Sequence, residues 1–232
     1  MIIEVQQTAS SIKQEYDVYV DRDYYCQGIN GRLHKYQDIG LVRNGESILH
    51  GDHQRLHWKH YIPFKYLFGS VNLSRGLELK RGNECTGSFI RSRTGFWDYF
   101  YGLSVGNDRF FRCYTRSIGS YDYVSVYDLS FPGAVETEQI ALLETYLTVV
   151  DNKYKFKLYL LDEYAEDKDE LIMFVLYYAN YHFTERFHMS RGTTYTKAWS
   201  FSKNNQKVDP GWRNVHFPNE NFFGKVDPYD LT

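Results

Sequence analysis

Short segments in which hydrophobic and polar residues alternate dominate the chain between residues 16 and 161. Alternation with a period of two is typical of β-strands that are buried on one face. Asn44-Gly45 lies between two apolar runs and predicts a hairpin over residues 38–50, while Asn30-Gly31 and Gly106-Asn107 offer further turns with positive φ. Many short strands at this spacing favour a barrel or a sandwich. The other predicted strands are residues 16–20, 76–80, 87–93, 98–106, 109–117, 121–129, 140–151 and 154–164.

The segment near residues 167–181 has a different pattern. Asp167 is followed three residues later by Glu170, as in a helix capping box, and the nine residues from Leu171 to Ala179 carry no charge. A buried strand is the competing interpretation, because valine, phenylalanine and tyrosine are frequent there. A helix that is apolar on all sides must be surrounded by protein. We therefore predict a mainly β protein, a β-barrel or closed antiparallel meander that encloses one hydrophobic α-helix.

Two consecutive stretches resemble a known family. The strands "QIALLETYLTVVDNKYKFKLYLLDEY", followed by the apolar helix "DELIMFVLYYANY", are similar to the tubby C-terminal-like superfamily, which includes the LURP-one-related proteins and the phospholipid scramblases. The resemblance covers residues 16 to 183 and implies a barrel of about twelve strands around a hydrophobic helix. We accordingly assign residues 1–183 to a tubby-like barrel and residues 184–232 to a C-terminal extension.

The extension departs from the family pattern, in which the chain ends soon after the helix. It is polar and rich in turn residues, yet it contains too many aromatic residues for a disordered tail. We expect it to pack on the outside of the barrel or on a partner. Its aromatic residues are Trp199, Phe201, Trp212, Phe217, Phe222 and Phe223.

The composition agrees with a β-rich globular protein. Among 232 residues, 22 are tyrosine and 16 are phenylalanine, which fit pleated, half-buried surfaces. A formal net charge of −2 argues against nucleic acid as a partner. The three cysteines are too dispersed for a disulfide framework or a thiolate zinc site. Because the amino-terminal residues do not resemble a signal peptide and no run approaches the ~18 apolar residues of a membrane span, we expect a cytoplasmic protein without a transmembrane segment.

Cationic residues in the middle third form one candidate site. Arginine forks match phosphate geometry, and the resemblance implies a basic groove that binds phosphoinositide head groups. The alternative is that these residues keep the barrel soluble and its edges charged. The candidate residues for an anionic ligand are Lys80, Arg81, Arg91, Arg93, Arg112 and Arg116.

Four histidines within eleven residues form a second candidate site. His50, His53, His57 and His60 would share one face of a helix, but a strand would scatter them over both faces. The known zinc-binding spacings are absent, so a solvated loop or helix is the simpler interpretation. Together with Asp52, these histidines are the candidate metal ligands of a hydrolase site.

Two further patterns suggest chemistry. "GLSVG", residues 102–106, matches the nucleophile elbow around Ser104, but no helical stripe follows it, so we predict an ordinary strand residue before a hairpin turn. The acidic run at residues 162–170 lacks the ligand order of a calcium loop, and we predict a solvated loop that also caps the helix.

We therefore predict a non-enzymatic binding module that needs no cofactor. Its ligand is a protein partner or an anionic lipid head group, and the aromatic extension offers a contact surface. The alternative is a metal-dependent hydrolase that uses His50, His53, His57 and His60 with Asp52. The sequence gives no indication of the oligomeric state.

Overall fold

Twelve β-strands make up most of the part of the chain that the structure describes. The structure is a computed structural model and describes residues 1–10, 13–31, 39–53, 76–93, 99–106, 108–118, 121–130, 138–148, 153–187 and 206–220. The strands are β1 (Ile2–Ser10), β2 (Lys13–Val20), β3 (Asp23–Gly31), β4 (Ile39–Arg43), β5 (Glu46–His53), β6 (Gly76–Arg81), β7 (Glu84–Arg93), β8 (Tyr99–Val105), β9 (Arg109–Ile118), β10 (Tyr121–Asp128), β11 (Gln139–Thr148) and β12 (Lys153–Leu160).

Each strand pairs antiparallel with its neighbours in the chain, and the first strand pairs with the last. Ile3 of β1 lies opposite both Val20 of β2 and Leu158 of β12. The ring of hydrogen-bonded strands is therefore closed and leaves no free edge. This arrangement confirms the closed antiparallel meander predicted from the alternating segments.

The interior of the barrel holds a hydrophobic helix, α1 (Lys168–Phe187), which follows a 3₁₀ turn at Asp162–Asp167. Each residue from Leu171 to Ala179 is 4% exposed or less, because inward side chains of all twelve strands surround this part of the helix. The predicted helix is confirmed, and the competing strand interpretation is wrong. Among the helices in the described residues, none is long and apolar enough to cross a membrane.

Ion pairs hold the amino-terminal end of α1 to the rim of the barrel. The guanidinium of Arg81, at the end of β6, lies 3.1 Å from Asp169 and 3.5 Å from Glu170. Arg109, at the start of β9, donates to the carboxylate of Asp167. Negative side chains at this helix end also complement the helix dipole. The rim pairs therefore fix where the helix enters the barrel.

The acidic run is consequently only in part the solvated loop that the sequence predicts. Asp162 and Glu163 are exposed, whereas Asp167, Asp169 and Glu170 are buried. The expectation is wrong for the buried three, because strand arginines far away in the sequence neutralise them.

The stability of the protein should depend on pH through Glu170. Burial raises the pKa of this carboxyl above its ordinary value of 4.5, with Arg81 opposing the rise. A folded-state pKa above the unfolded value means that stability falls as the pH rises from 4.5 through the raised pKa. We expect Glu170→Gln to flatten the dependence of the unfolding free energy on pH in this window, measured by urea denaturation. Glu163→Gln, at an exposed position, is the control, and an equal flattening in both variants would contradict the assignment.

Local sequence predicts one of the turns between strands correctly and another incorrectly. Asn44 and Gly45 adopt φ of 52° and 82° between β4 and β5, which confirms the predicted hairpin turn. The turn predicted at Asn30-Gly31 is wrong, because both residues continue β3. The chain instead reverses at residues 21–22, where φ is 49° and 79°. Asn30 is retained in the strand because its side-chain amide donates to the carbonyl oxygen of Leu176 in α1 at 3.1 Å.

A close contact between β7 and β8 requires glycine at position 87. A Cβ atom there would lie 2.2 Å from the backbone oxygen of Ser104, and backbone cannot move aside as a flexible side chain can. We expect Gly87→Ala to lower the free energy of unfolding by about 1–3 kcal/mol, the usual cost of overpacking. Gly40→Ala is the matched control, since the nearest atom to its Cβ lies at an ordinary 3.5 Å. Equal urea midpoints for the two variants would contradict the contact.

Candidate functional site

The outer face of the barrel carries a second hydrophobic cluster where the C-terminal segment, defined as residues 206–220, packs against it. Val208 and Trp212 of this segment are 3% and 8% exposed. They contact outward side chains of strands β9 to β12, namely Tyr114, Tyr123, Tyr127, Leu142 and Tyr159. The expectation that the aromatic extension as a whole packs on the outside of the barrel or on a partner stays a prediction. The division of the chain into residues 1–183 and 184–232 stays a prediction.

A buried ion pair fastens the C-terminal segment to β11. Arg213, in the short helix α2 (Trp212–His216), lies 3.2 Å from Glu144, and the two side chains are 8% and 3% exposed. The hydroxyl of Tyr159 also donates to Glu144 at 3.4 Å. Burial raises the pKa of Glu144, and the charge of Arg213 opposes that rise. Removal of either side chain would therefore leave the other charge buried without a partner, which is strongly destabilising.

Polar contacts at both ends of the C-terminal segment add to this attachment. Lys157 of β12 lies 2.8 Å from Glu220 at one end. At the other end, the hydroxyl of Tyr127 donates to the carbonyl oxygen of Lys207 at 2.5 Å, and the backbone NH of Asp209 donates to Ser125 at 3.2 Å. The segment is thus held along its length against β10, β11 and β12.

A groove of about 390 Å³ opens where the C-terminal segment meets the ends of β10 and β11. This volume is within the range of sites that hold small ligands or single side chains of a partner. The barrel contributes Tyr127, Glu138, Gln139 and Leu161 to its lining. The C-terminal segment contributes Asp209, Trp212 and His216. The groove therefore exists only while the segment is attached.

One polar group of the groove lacks a partner. Gln139 is 7% exposed, and its Nε2 atom is buried without a hydrogen-bond partner among the described residues. An unsatisfied buried amide costs about 1–3 kcal/mol and calls for an explanation.

The described cations of the predicted anion site lie on several strands and on different faces of the barrel wall. Lys80 points outward from β6 and lies 2.8 Å from Asp52, whereas Arg81 is bound at the rim to α1. Arg91 lies 5.8 Å from the ring centre of Tyr101, a core residue.

The remaining members of this set lie on other strands. Arg112 of β9 lies over the ring of Phe100, 4.8 Å from its centre, and Arg116 belongs to the same strand. The side chain of Arg93 lies outside the described residues. Anion binding by this set of residues stays a prediction.

Of the four histidines in the predicted cluster, the structure describes the side chain of His50 alone. Its Nε2 atom lies 3.0 Å from Asp52, whose other oxygen accepts a hydrogen bond from Lys80. This hydrogen bond, aided by the charge of His50, lowers the pKa of Asp52. The side chain of His53, and the whole of His57 and His60, lie outside the described residues. No group of potential metal ligands occurs within the described part of the chain, and the metal hypothesis stays a prediction.

Ser104 occupies β8 and not a nucleophile elbow. Its hydroxyl lies 2.9 Å from the hydroxyl of Ser88 on the neighbouring strand β7. Gly106 follows with φ of 60°, and the chain continues into β9 without a helix. The predicted ordinary strand residue is confirmed, because an elbow needs a helix amino terminus behind the serine.

Sequence reasoning missed the groove itself. Trp212 was noted as one of the aromatic residues of the extension, but Glu138, Gln139 and Asp209 gave no sequence signal. These residues are far apart in the chain and meet only when the C-terminal segment folds back on β10 and β11.

The architecture of the chain is defined by its own geometry, because no known protein supplies a match. No family model, no curated protein and no solved structure matches the chain. What is shown is a closed antiparallel barrel of twelve strands around a hydrophobic helix, with a groove on its outer face.

Proposed function

We propose that this protein is a non-enzymatic binding module of tubby-like architecture, and that it binds a protein partner at the groove between the barrel and the C-terminal segment. The groove carries this proposal, since it combines aromatic walls, carboxylates and an unsatisfied amide in one concave site. Tubby-like architecture is supported by the closed barrel around a hydrophobic helix, which is what the sequence resemblance implies.

An exposed hydrophobic residue beside the groove supports a protein as the partner. Val215 of α2 is 76% exposed, although it lies in the same short helix as the buried Trp212. Protein interfaces place apolar and aromatic residues at their centre and polar residues around them. Val215 lies in the same short helix as the lining residues Trp212 and His216, so it offers an apolar contact to a protein bound at the groove.

An anionic head group is the other ligand expected from the sequence. Among the described cations of the predicted anion site, Lys80 and Arg81 are engaged by carboxylates and lie on different sides of the strand wall. The groove itself presents Glu138 and Asp209, which repel an anion. These observations favour a protein partner over a head group.

The proposal is tested by crosslinking from the groove. We expect a photoreactive p-benzoylphenylalanine placed at position 215 to form one specific adduct in cells, and the same group at position 24 to form none. Tyr24 is the matched control because it is exposed and lies on β3, away from the groove. The adduct, identified by mass spectrometry, supplies a purified partner for titration calorimetry.

Two variants then decide whether the contact is specific. Val215→Asp should weaken binding of the purified partner about tenfold, as expected for an interface residue, while Tyr24→Asp leaves it unchanged. Equal adducts at both positions, or unchanged binding by Val215→Asp, would overturn the proposal. Sedimentation with anionic vesicles that is lost at about 0.5 M salt would instead favour a head group as the ligand.

A further inference from the structure

The groups that face the groove are almost all acceptors or aromatic rings. Glu138 and Asp209 contribute carboxylates from opposite sides, and both side chains are exposed. Tyr127 and Trp212 contribute aromatic surface. Carboxylates combined with aromatic faces attract cations, through charge and through the ring quadrupole.

Gln139 adds a further acceptor to this set. The hydroxyl of Tyr127 carries one proton, which it donates to the carbonyl oxygen of Lys207. Towards the Gln139 amide, 3.5 Å away, the same hydroxyl therefore acts as an acceptor. An amide turned so that its NH₂ group faces Tyr127 would satisfy this acceptor, since exchange of the nitrogen and oxygen positions leaves the shape of the side chain unchanged. The amide oxygen would then occupy the buried position at which the structure places the unpartnered Nε2 atom.

Neighbouring carboxylates extend the negative potential beyond the lining. Tyr164 follows the lining residue Leu161 in the 3₁₀ turn and donates to Asp128 at 3.0 Å. Burial, this hydrogen bond and the charges of Asp128, Glu138 and Glu163 raise the pKa of Tyr164. Among the described residues of the groove lining, only His216 can carry a positive charge. The described lining therefore carries more negative than positive charge, which favours a positively charged ligand group.

We propose that the groove binds the guanidinium or ammonium group of an arginine or lysine side chain that the protein partner presents. This inference rests on the proposed function and specifies the chemistry of its ligand. The cation lies between the carboxylates of Glu138 and Asp209, against the aromatic wall, and donates to the amide oxygen of Gln139. A guanidinium suits this arrangement best, because its five donors serve several acceptors at once and its plane stacks on rings.

Binding of two small probes tests the inference directly. Acetyl-arginine methylamide carries the guanidinium, and acetyl-citrulline methylamide has nearly the same shape without the charge. We expect the arginine probe to shift the amide NMR signals of Gln139, Asp209 and Trp212 in a saturable manner, and the citrulline probe to leave them unchanged. Increasing the salt concentration to about 0.5 M should weaken the response, because the carboxylates are exposed to solvent.

A charge-removing variant assigns the response to the groove. Glu138→Gln should reduce the affinity for the arginine probe at least about threefold, the effect of losing one exposed carboxylate partner. Glu46→Gln, at the exposed first residue of β5, is the control. Equal responses to the two probes, or no effect of Glu138→Gln, would overturn the inference. A partner crosslinked at position 215, together with no response to arginine, would overturn this inference alone and leave the proposed function standing.

Discussion

Replacing Phe174 with alanine is expected to lower the free energy of unfolding by about 3–5 kcal/mol. The side chain is fully buried in α1, and its ring lies 5.9 Å from Phe89 and 5.6 Å from Tyr101. A closed ring of hydrogen-bonded strands cannot collapse into the space that the ring leaves, so the cavity remains.

Urea denaturation followed by circular dichroism measures this loss. Val215→Ala is the control, because this side chain is 76% exposed, and its replacement should change the unfolding free energy by no more than about 0.5 kcal/mol. A loss below about 1 kcal/mol for Phe174→Ala would mean that the helix is not enclosed as described.

Replacing Arg213 with alanine is expected to have a second large effect, about 3–5 kcal/mol on the attachment of the C-terminal segment. The substitution leaves Glu144 with its negative charge in a site where it is 3% exposed. Limited proteolysis should then cleave the segment much faster than in the wild-type protein, while the barrel stays intact, since only α2 leaves its place.

A double substitution separates loss of charge balance from loss of packing. Arg213→Met combined with Glu144→Leu removes both charges and keeps similar volumes, so most of the protection should return. If Arg213→Ala left the proteolysis rate unchanged, the buried pair would not be what holds the segment.

The barrel and its helix were predictable because local patterns specify them. Alternation predicts strands whose inward residues meet one core, and the uncharged run from Leu171 to Ala179 predicts a helix enclosed by protein. The hairpin at Asn44-Gly45 was predictable for the same reason, since both residues adopt positive φ readily.

Predictions failed where a distant partner decides the conformation. Asn30 looked like a turn residue, but in the fold it binds a helix carbonyl contributed by Leu176. Asp167 and Glu170 looked like members of a solvated loop, but Arg109 and Arg81 pair with them at the rim. Such pairs have no local pattern and follow only from the closed topology.

The candidate site was harder to predict for the same reason. The aromatic extension indicated that residues such as Trp212 pack on the barrel or on a partner, and in the structure Trp212 packs on the outer face of the barrel. The groove needs Glu138 and Gln139 from the start of β11 to meet Asp209 some seventy residues later. Nothing in either local sequence indicates that they meet.

Amide hydrogen exchange of the C-terminal segment tests the central claim most directly, because the groove exists only while this segment lies on the barrel. The NH groups of Asp209, Asn214 and Phe217, which donate in the structure, are expected to be protected from exchange in the wild-type protein. All three amides should lose this protection together in Arg213→Ala. Exchange of these amides at the rate of an unfolded chain in the wild-type protein would contradict it.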